Sequence, residues 1–251
     1  MRPYIYGARE GVSVIDLTQS EKLLKEACEF VYDLGKEGKV LLFVGTKKQA
    51  RPIIEKLANE LQAPFLAERC MGVFLTNFEE IQKNIKKLKN YLEQKSKGEL
   101  SKYTKKEQLL LDRKMGKLQK DFAGAMDLPN LPDAIFVTDA VSDNIAVREA
   151  NRLNIKVVAI ADSNCDPTQI DYPIPGNDDA IKSITILIGA IASAYGEGKK
   201  EAGKVADKLA KKAEKKLKKT EDEIPEELKV EVAVAEEMVE KKAVKEAEKV
   251  V

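Results

Sequence analysis

Polar and charged side chains follow three apolar runs that have the composition of buried parallel strands. Gly45-Thr46-Lys47 comes after the first run, Asp139 after the second and Asp162 after the third. In an open parallel sheet these residues would meet at the carboxyl edge, where ligands bind. The first group could hold a phosphate at a helix N-terminus, and either carboxylate could bind magnesium. These residue types therefore permit a nucleotide- or phosphate-binding α/β enzyme.

Several absences from the sequence weigh against this enzyme. The chain contains neither GxxxxGK[ST] nor GxGxxG, the glycine-rich fingerprints of nucleotide sites. It has no histidine, which removes Ser-His-Asp and Cys-His catalysis. Its three cysteines are too dispersed to form a four-ligand zinc site. Carboxylates at strand ends commonly cap helices and turns, and we favour that role here. We predict no enzymatic activity, no metal and no cofactor.

Basic residues offer a different chemistry, the binding of nucleic-acid phosphates. Lys47, Lys48 and Arg51 fall in the first turn or so of a predicted helix, whose backbone amides also bind phosphate. The segment 79–121 holds 13 basic and 7 acidic residues, a net charge of +6. Most protein–nucleic-acid hydrogen bonds go to phosphate and sugar, which suits these side chains. The candidate RNA contacts are Lys47, Lys48, Arg51, Arg69, Asn77, Lys83, Lys86, Lys87, Arg113 and Lys114.

Simpler explanations exist for the same residues. The lysines of 79–121 could form a solvated face that keeps exposed helices in solution. Arg69 and Asn77 could brace the base of a projecting arm. A protein-interaction scaffold, whose paired helices bind another helix, is a third possibility. RNA binding through several lysines would weaken steeply with salt, whereas nucleotide binding in a pocket would respond less.

The elements that carry these residues alternate between strand and helix. Continuous apolar runs predict buried strands at 39–44, 133–139 and 155–162, and a brief further strand is predicted at 63–66. Amphipathic segments between them predict helices. This alternation predicts a doubly wound parallel sheet of the flavodoxin-like or Rossmann-like three-layer type. We also predict an extended arm at 1–7, a short strand at 12–16 and a short extended segment at 171–177.

Local signals suggest where the helices begin and end. Thr18, with Glu21 three residues later, has the spacing of a capping box for the first helix. Gly35 and Gly38 are expected to end that helix. Asn177 or Asp178 is expected to cap the last helix of the α/β domain. Two glycines, Gly196 and Gly198, are expected to stop it.

Two apolar stripes define an insertion. The first comprises Ile81, Ile85, Leu88 and Leu92, and the second comprises Leu111, Met115, Leu118 and Phe122. Two stripes with this spacing predict an antiparallel helical hairpin with a coiled-coil seam. Gly98 and Ser101 mark the turn between the two helices, which are expected to end near Lys97 and Ala125. The predicted domains are an α/β body at 1–78 and 127–198, the hairpin at 79–126 and a Lys/Glu-rich tail at 199–251, flexible or helical.

The cellular location of the protein is indicated by the absence of targeting and membrane-spanning segments from the sequence. No signal peptide opens the chain, and no apolar run reaches the length of a membrane span. The dispersed cysteines indicate reduced thiols. The chain has 34% charged residues but a net charge of only +1, because a basic segment at 199–219 offsets an acidic one at 220–251. We therefore expect a cytoplasmic protein with locally basic surfaces and no membrane partner.

Seven blocks, in order, resemble the bacterial type of the small-subunit ribosomal protein S-two family, and the resemblance covers about residues 1–196. The blocks are MRPYIYG at 1–7, FVGTKKQ at 43–49, LTNF at 75–78, PDAIFV at 132–137, AVREA at 146–150, DSNCDP at 162–167 and IPGNDDAI at 174–181. A single block would be weak, but their order and the place of the hairpin make the resemblance specific.

The resemblance implies a structural constituent of the small ribosomal subunit. Family members bind small-subunit ribosomal RNA, contact neighbouring ribosomal proteins and help dock the messenger-RNA-binding ribosomal protein S-one; no catalysis is known for them. It therefore implies a ribosomal, cytoplasmic location and no small-molecule substrate. Lys47, Lys48 and Asn77 fall within the matching blocks, Arg69 lies close to one, and Arg2 in the first block completes the candidate RNA contacts.

The chain departs from the family in two ways. Family members usually have a Trp where Cys70 stands and a Gly where Val73 stands, which affects the geometry expected around Arg69. They also usually have a further N-terminal stretch, rich in His, Arg and aromatic residues, before the block that begins at Met1. We expect either a start assigned downstream of the true one or a genuinely shorter chain.

Overall fold

The computed structural model describes residues 1–68, 72–98, 104–126 and 128–222. Met1–Ala202 form one compact unit. A second unit begins at Gly203, and its described residues are helical as far as Asp222. The α/β body and the candidate RNA contacts all lie in the first unit.

The first unit opens with a β-hairpin. A short 3-10 helix, Arg2–Tyr4, leads into β1 (Ile5–Arg9), which pairs antiparallel with β2 (Val12–Ile15). The connecting residues Glu10 and Gly11 have φ angles of 54° and 83°. Two left-handed residues in succession are the geometry of a tight two-residue hairpin turn. The strand predicted at 12–16 is thus confirmed as β2. Of the extended arm predicted at 1–7, residues 2–4 instead form the 3-10 helix and residues 5–7 belong to β1, which pairs with β2.

Five parallel strands form the central sheet. They are β3 (Leu41–Val44), β4 (Phe65–Leu66), β5 (Ala134–Val137), β6 (Lys156–Ala161) and β7 (Tyr172–Pro175). The order across the sheet is β4-β3-β5-β6-β7, and every neighbouring pair is parallel. The chain therefore reverses its direction of winding between β3 and β5, as in flavodoxin-like sheets.

Six helices complete the described fold. They are α1 (Leu17–Lys36), α2 (Arg51–Leu61), α3 (Phe78–Ser96), α4 (Lys105–Phe122), α5 (Asn144–Arg152) and α6 (Ile181–Asp222). Short 3-10 helices also occur at Ala123–Ala125 and Pro167–Gln169.

The sheet is covered on both faces, because alternate side chains of each strand point to opposite sides. On one face Phe43, Phe136 and Ile160 pack with buried residues of α1, α2 and α6. On the other, Leu42 and Ile135 pack with residues of α3, α4 and α5. The parallel sheet between two helical layers confirms the three-layer α/β prediction. The strand residues 41–44 and 134–137 are all buried, as their continuous apolar sequence predicted.

Helices α3 and α4 pack side by side in opposite directions. The Tyr91 hydroxyl of α3 donates to Asp112 Oδ1 of α4 at 2.6 Å. Phe122, at the end of α4, stacks on Phe74, just before α3, with ring centroids 6.3 Å apart. Ile81 and the other α3 stripe residues are buried or half-buried. The coiled-coil character of the seam stays a prediction, and Ser101 of the predicted turn lies outside the described residues.

Three predictions about helix ends are wrong. Asp16, not Thr18, caps α1, because its carboxylate accepts a hydrogen bond from the Thr18 amide at 3.0 Å. Gly35 lies inside α1, although Gly38, with a φ angle of 71°, follows the C-cap residue Glu37 and ends the helix as predicted. Helix α6 runs past Gly196 and Gly198. A Cβ on Gly35 would lie 2.7 Å from the Tyr195 carbonyl oxygen, so glycine allows α1 and α6 to approach closely.

The predicted start of the last helix is partly correct. The Asn177 side chain accepts hydrogen bonds from the amides of Asp179 and Ala180 at 2.9 and 2.7 Å, just before α6 begins. Across the described parts of the chain, a helix with the length and apolarity of a membrane span is not found.

Candidate nucleic-acid interface

The carboxyl edge of the sheet is organised around Lys47. Its ammonium lies 3.0 Å from Asp139 Oδ2, 2.8 Å from Asp178 Oδ1 and 2.8 Å from Asp179 Oδ1. Burial opposes the charged form, but the hydrogen bonds to Asp178, Asp179 and Asp139 outweigh it and raise the pKa of Lys47 above its ordinary value. Lys47 is therefore a cation already surrounded by carboxylates of its own chain, and it joins the turns that follow β3, β5 and β7.

The carboxylates of this cluster respond differently to burial. Burial raises the pKa of Asp178 to about 6 despite its hydrogen bond to Lys47. It also raises the pKa of Asp143, which accepts hydrogen bonds from the Thr46 hydroxyl at 3.0 Å and the Thr46 amide at 3.4 Å. For Asp139 burial is outweighed by hydrogen bonds from Ser142, Lys47 and the Val141 amide, so its pKa is lowered.

The geometry supports a turn-forming role for the strand-end carboxylates. Asp139 accepts hydrogen bonds from the amides of Val141 and Ser142 at 2.8 and 3.0 Å. Asp162 accepts one from the Asp178 amide at 3.4 Å. Within the described ranges, no group of three or more His, Cys, Asp or Glu is placed to hold a metal ion. The Asp139 carboxylate thus caps the turn that follows β5, and Asp162 accepts a hydrogen bond from the turn before α6, which agrees with the turn-forming role favoured above.

Helix α2 begins later than predicted, which changes the setting of three candidate contacts. Pro52 occupies the first turn of α2, so the helix starts at Arg51 while Lys47 and Lys48 lie in the preceding turn. The Arg51 guanidinium donates to the Thr46 carbonyl at 3.0 Å and to the Glu68 carboxylate at 2.9 Å. Arg51 therefore holds this turn against residue 68, and Lys48 is exposed beside it.

Asn77 and the residues before it form the base of the helical pair. Asn77 is exposed and immediately precedes α3, with no side-chain hydrogen bond to the helix end. The Glu149 carboxylate of α5 accepts hydrogen bonds from the amides of Val73, Leu75 and Thr76. Arg69 lies outside the described residues. One carboxylate of α5 thus holds three backbone amides at the base of the helical pair, in addition to the apolar packing of α3 and α4 on the sheet.

The remaining candidates are dispersed on the surface. Lys83, Lys86 and Lys87 are exposed on α3, where Lys83 also pairs with Glu80 at 2.6 Å. Arg113 and Lys114 are exposed on α4, the other helix of the pair. Arg2 is exposed in the N-terminal 3-10 helix. The fold therefore brings five candidates onto one helical pair and places Lys47, Lys48 and Arg51 close together where the turn after β3 meets the start of α2.

Sequence reasoning missed two groups of residues. It gave no role to Glu149 or to the pair Asp178 and Asp179 beyond helix capping. Both groups lie within blocks that carried the family resemblance, at 146–150 and 174–181. Their place in these blocks was the one signal in the sequence that they have a role. The residues that they contact are distant in the chain, so sequence spacing cannot identify them.

The described residues define a three-layer α/β protein with an inserted pair of lysine-rich helices. The particular family follows from comparison: the chain belongs to the family described as Ribosomal protein S2, whose model matches residues 1–198.

Relatives from several bacteria share much of the chain. The proteins named "Small ribosomal subunit protein uS2" from a Nitratiruptor species and from Desulfatibacillum aliphaticivorans are each 46% identical over 80% of this chain, covering 75% and 69% of the relatives. The protein of that name from Wolinella succinogenes is 44% identical over 81% of this chain and 75% of the relative. The chain belongs to a family of structural ribosomal proteins that are not known as enzymes.

The structure also bears on one departure from the family. Val73 has a φ angle of 73°, in the left-handed region that glycine adopts freely and β-branched residues adopt at a cost. A glycine at this position, as the resemblance implies for the family, would relieve that conformation. Cys70 lies outside the described residues.

Proposed function

We propose that this chain is a non-enzymatic structural constituent of the small ribosomal subunit, acting in translation within the cytoplasmic ribosome. It binds small-subunit ribosomal RNA through the lysines of α3 and α4, through Arg113 of α4 and through the exposed residues at the base of the two helices. Neighbouring ribosomal proteins complete its surroundings. The names of its relatives support assembly into the small subunit.

One observation carries RNA binding in particular. Exposed basic side chains occur on both helices of one packed pair, at Lys83, Lys86, Lys87, Arg113 and Lys114. Such a pair presents charge along an extended surface, which suits the phosphate backbone of structured RNA. The carboxyl edge of the sheet, where an enzyme of this fold would bind a nucleotide, holds Lys47 paired with three carboxylates instead.

A binding experiment with the full chain and transcribed small-subunit ribosomal RNA tests the proposal. The dissociation constant is measured over a series of KCl concentrations for wild type and for Lys86→Glu/Lys87→Glu. Replacing two phosphate-binding lysines should reduce the salt slope by about 2, since each contact contributes roughly one. Lys22→Glu/Lys25→Glu on α1 makes the same charge change at two exposed lysines away from the pair.

The outcomes separate a local interface from general attraction. If the α1 control weakens binding as much as the α3 variant, net charge and not the helical pair governs binding. If wild type neither binds the RNA nor sediments with small subunits, the ribosomal proposal is wrong. Sedimentation of a lysate at low and raised salt gives the second measurement.

The family resemblance also implies a contribution to docking ribosomal protein S-one. Leu109 and Leu110 of α4 are about half exposed, at 52% and 48%, and provide apolar surface on the helical pair that RNA phosphates would not need. We expect Leu109→Ser/Leu110→Ser to weaken capture of purified S-one by the small subunit while leaving RNA binding unchanged. If subunits with the wild-type chain and subunits with the variant capture S-one equally well, Leu109 and Leu110 are not part of the docking surface.

A further inference from the structure

Glu149 is half-buried and makes an unusual set of contacts for a single carboxylate. It lies on α5 and accepts backbone hydrogen bonds from Val73, from Leu75 at 2.9 Å and from Thr76 at 3.2 Å. Three donors from one short segment converge on its two oxygens. Hydrogen bonds between amides and a charged carboxylate are stronger than those between neutral groups.

The segment held by Glu149 is the point where the helical pair joins the body. Phe74, within it, is 1% exposed and packs against two aromatic rings. Phe78, in the first turn of α3, lies edge-on to it with centroids 6.3 Å apart, and Phe122, in the last turn of α4, stacks on it at 6.3 Å. One buried side chain therefore contacts both helices, and the amides on either side of it are held by Glu149.

We infer that Glu149 is a positioning residue of the RNA interface. It fixes the segment 73–76 to α5 and thereby sets the direction in which α3 and α4 leave the body. Asn77 follows that segment directly, and Lys83, Lys86 and Lys87 follow on α3. This inference rests on the proposed function, because it requires that these residues bind RNA.

Because Glu149 is negatively charged, the direction in which RNA affinity changes on its removal tests the inference. A carboxylate repels RNA phosphates, so removing it would by simple electrostatics strengthen RNA binding or leave it unchanged. A positioning role predicts the opposite, because the basic side chains lose their alignment when the segment is released. The direction of the effect therefore separates positioning from charge.

Asp133 provides a matched control for loss of stability. Its carboxylate accepts a hydrogen bond from the Val40 amide at 2.8 Å, at the start of β5 and away from the helical pair. Asp133→Ala thus removes a carboxylate, a negative charge and a backbone hydrogen bond without touching the segment 73–76. If loss of folding energy alone governed RNA binding, it would act as Glu149→Ala does.

The test compares the full-length wild type, Glu149→Ala, Glu149→Gln and Asp133→Ala. Binding to transcribed small-subunit ribosomal RNA is measured over a KCl series, and amide hydrogen exchange is followed at Val73, Leu75 and Thr76. We expect Glu149→Ala to bind about tenfold more weakly, the loss that corresponds to one charged hydrogen bond. Its three amides should exchange faster and its salt slope should be shallower. Glu149→Gln, which keeps an acceptor oxygen, should lose less.

Each outcome decides between explanations. If the Glu149 variants bind as wild type or more tightly, or if Asp133→Ala weakens binding equally, Glu149 does not position the interface. If wild type itself does not bind the RNA, the proposed function fails and this inference fails with it. If Glu149→Ala does not fold, Glu149→Gln carries the comparison, since it retains the side-chain length and one hydrogen-bond acceptor.

Discussion

Lys47 Nζ lies 2.8 Å from Asp178 Oδ1 and so connects the turn after β3 to the turn before α6. The two residues are 131 positions apart in the chain. Their side chains are largely buried, at 21% and 6% exposure. This ion pair links distant segments at the edge of the sheet. It forms only when the Asp178 carboxyl is ionised, so it depends on pH.

Raising the pH from about 4 to about 7 should lower the contribution of Asp178 to the free energy of unfolding. Burial raises the pKa of its carboxyl from 3.8 to about 6, so the folded chain keeps a proton that the unfolded chain has released. The stabilisation by Asp178 is complete below the pKa of its carboxyl in the unfolded chain, and it is lost as the pH rises through the pKa in the folded chain. The total loss in the free energy of unfolding is about 3 kcal/mol.

Urea unfolding of wild type and Asp178→Asn at about pH 4.5 and about pH 7 measures this contribution. The asparagine cannot ionise, so the variant should gain stability relative to wild type at the higher pH. Other titrating groups are common to both proteins and largely cancel in the comparison. A difference between the two proteins that does not change with pH would contradict the prediction.

Lys47→Met should strongly destabilise the fold at neutral pH. It removes the cation that faces Asp139 and Asp178, both buried, and leaves their charges without a partner. Breaking a buried ion pair in this way costs about 3–5 kcal/mol. Thermal or urea unfolding gives the measurement, with Lys47→Arg as a control that keeps the charge. A Lys47→Met protein as stable as wild type at pH 7 would show that the cluster does not depend on this ammonium.

Val73→Gly should stabilise the protein. Val73 adopts a φ angle of 73°, and left-handed geometry costs an L-residue about 1–2 kcal/mol, more than the chain entropy that glycine adds to the unfolded state. We expect a net gain of about 1 kcal/mol in the free energy of unfolding. Val141, similarly exposed but without a positive φ, provides the control. Val141→Gly should destabilise, and the same sign at both positions would refute the explanation by backbone geometry.

Gly198→Ala should destabilise the crossing of α1 and α6. A Cβ on Gly198 would collide with the Tyr32 carbonyl oxygen and lie 3.0 Å from the Lys36 amide nitrogen. Because both neighbours are backbone atoms, the helices must separate, at a cost of about 1–3 kcal/mol. Gly189→Ala, also in α6, meets no atom within 4 Å and should instead stabilise by about 0.5–1 kcal/mol. Thermal unfolding of both variants checks the opposite signs.

Local patterns were sufficient for the main elements. The continuous apolar residues of 41–44 and 134–137, each within a short run bounded by turn signals, predicted strands buried on both faces, and the structure buries each of them. The stripe of Ile81, Ile85 and Leu88 specified the inner face of α3 by helical spacing. Both signals lie within a few residues of chain, so they can be recognised before the tertiary fold is known.

Glycine and proline were less informative, because their local effect depends on distant neighbours. Gly198 has the sequence signature of a helix end, yet it lies inside α6. Its lack of a side chain allows the backbone of α1 to pack closely against it. The short extended segment predicted at 171–177 is confirmed as β7 at 172–175, at the edge of the sheet, where proline is tolerated.

The sequence by itself determined the class of fold, the place of the inserted helices and the family to which the chain belongs. These follow from periodicity, composition and ordered blocks, which are properties of neighbouring residues. Only the tertiary structure decided that Lys47 is held by Asp139, Asp178 and Asp179, and that Glu149 binds the amides of 73–76. Electrostatic and hydrogen-bonding partners are set by distance in space, and the parallel sheet brings together residues that are 73 to 132 positions apart in sequence.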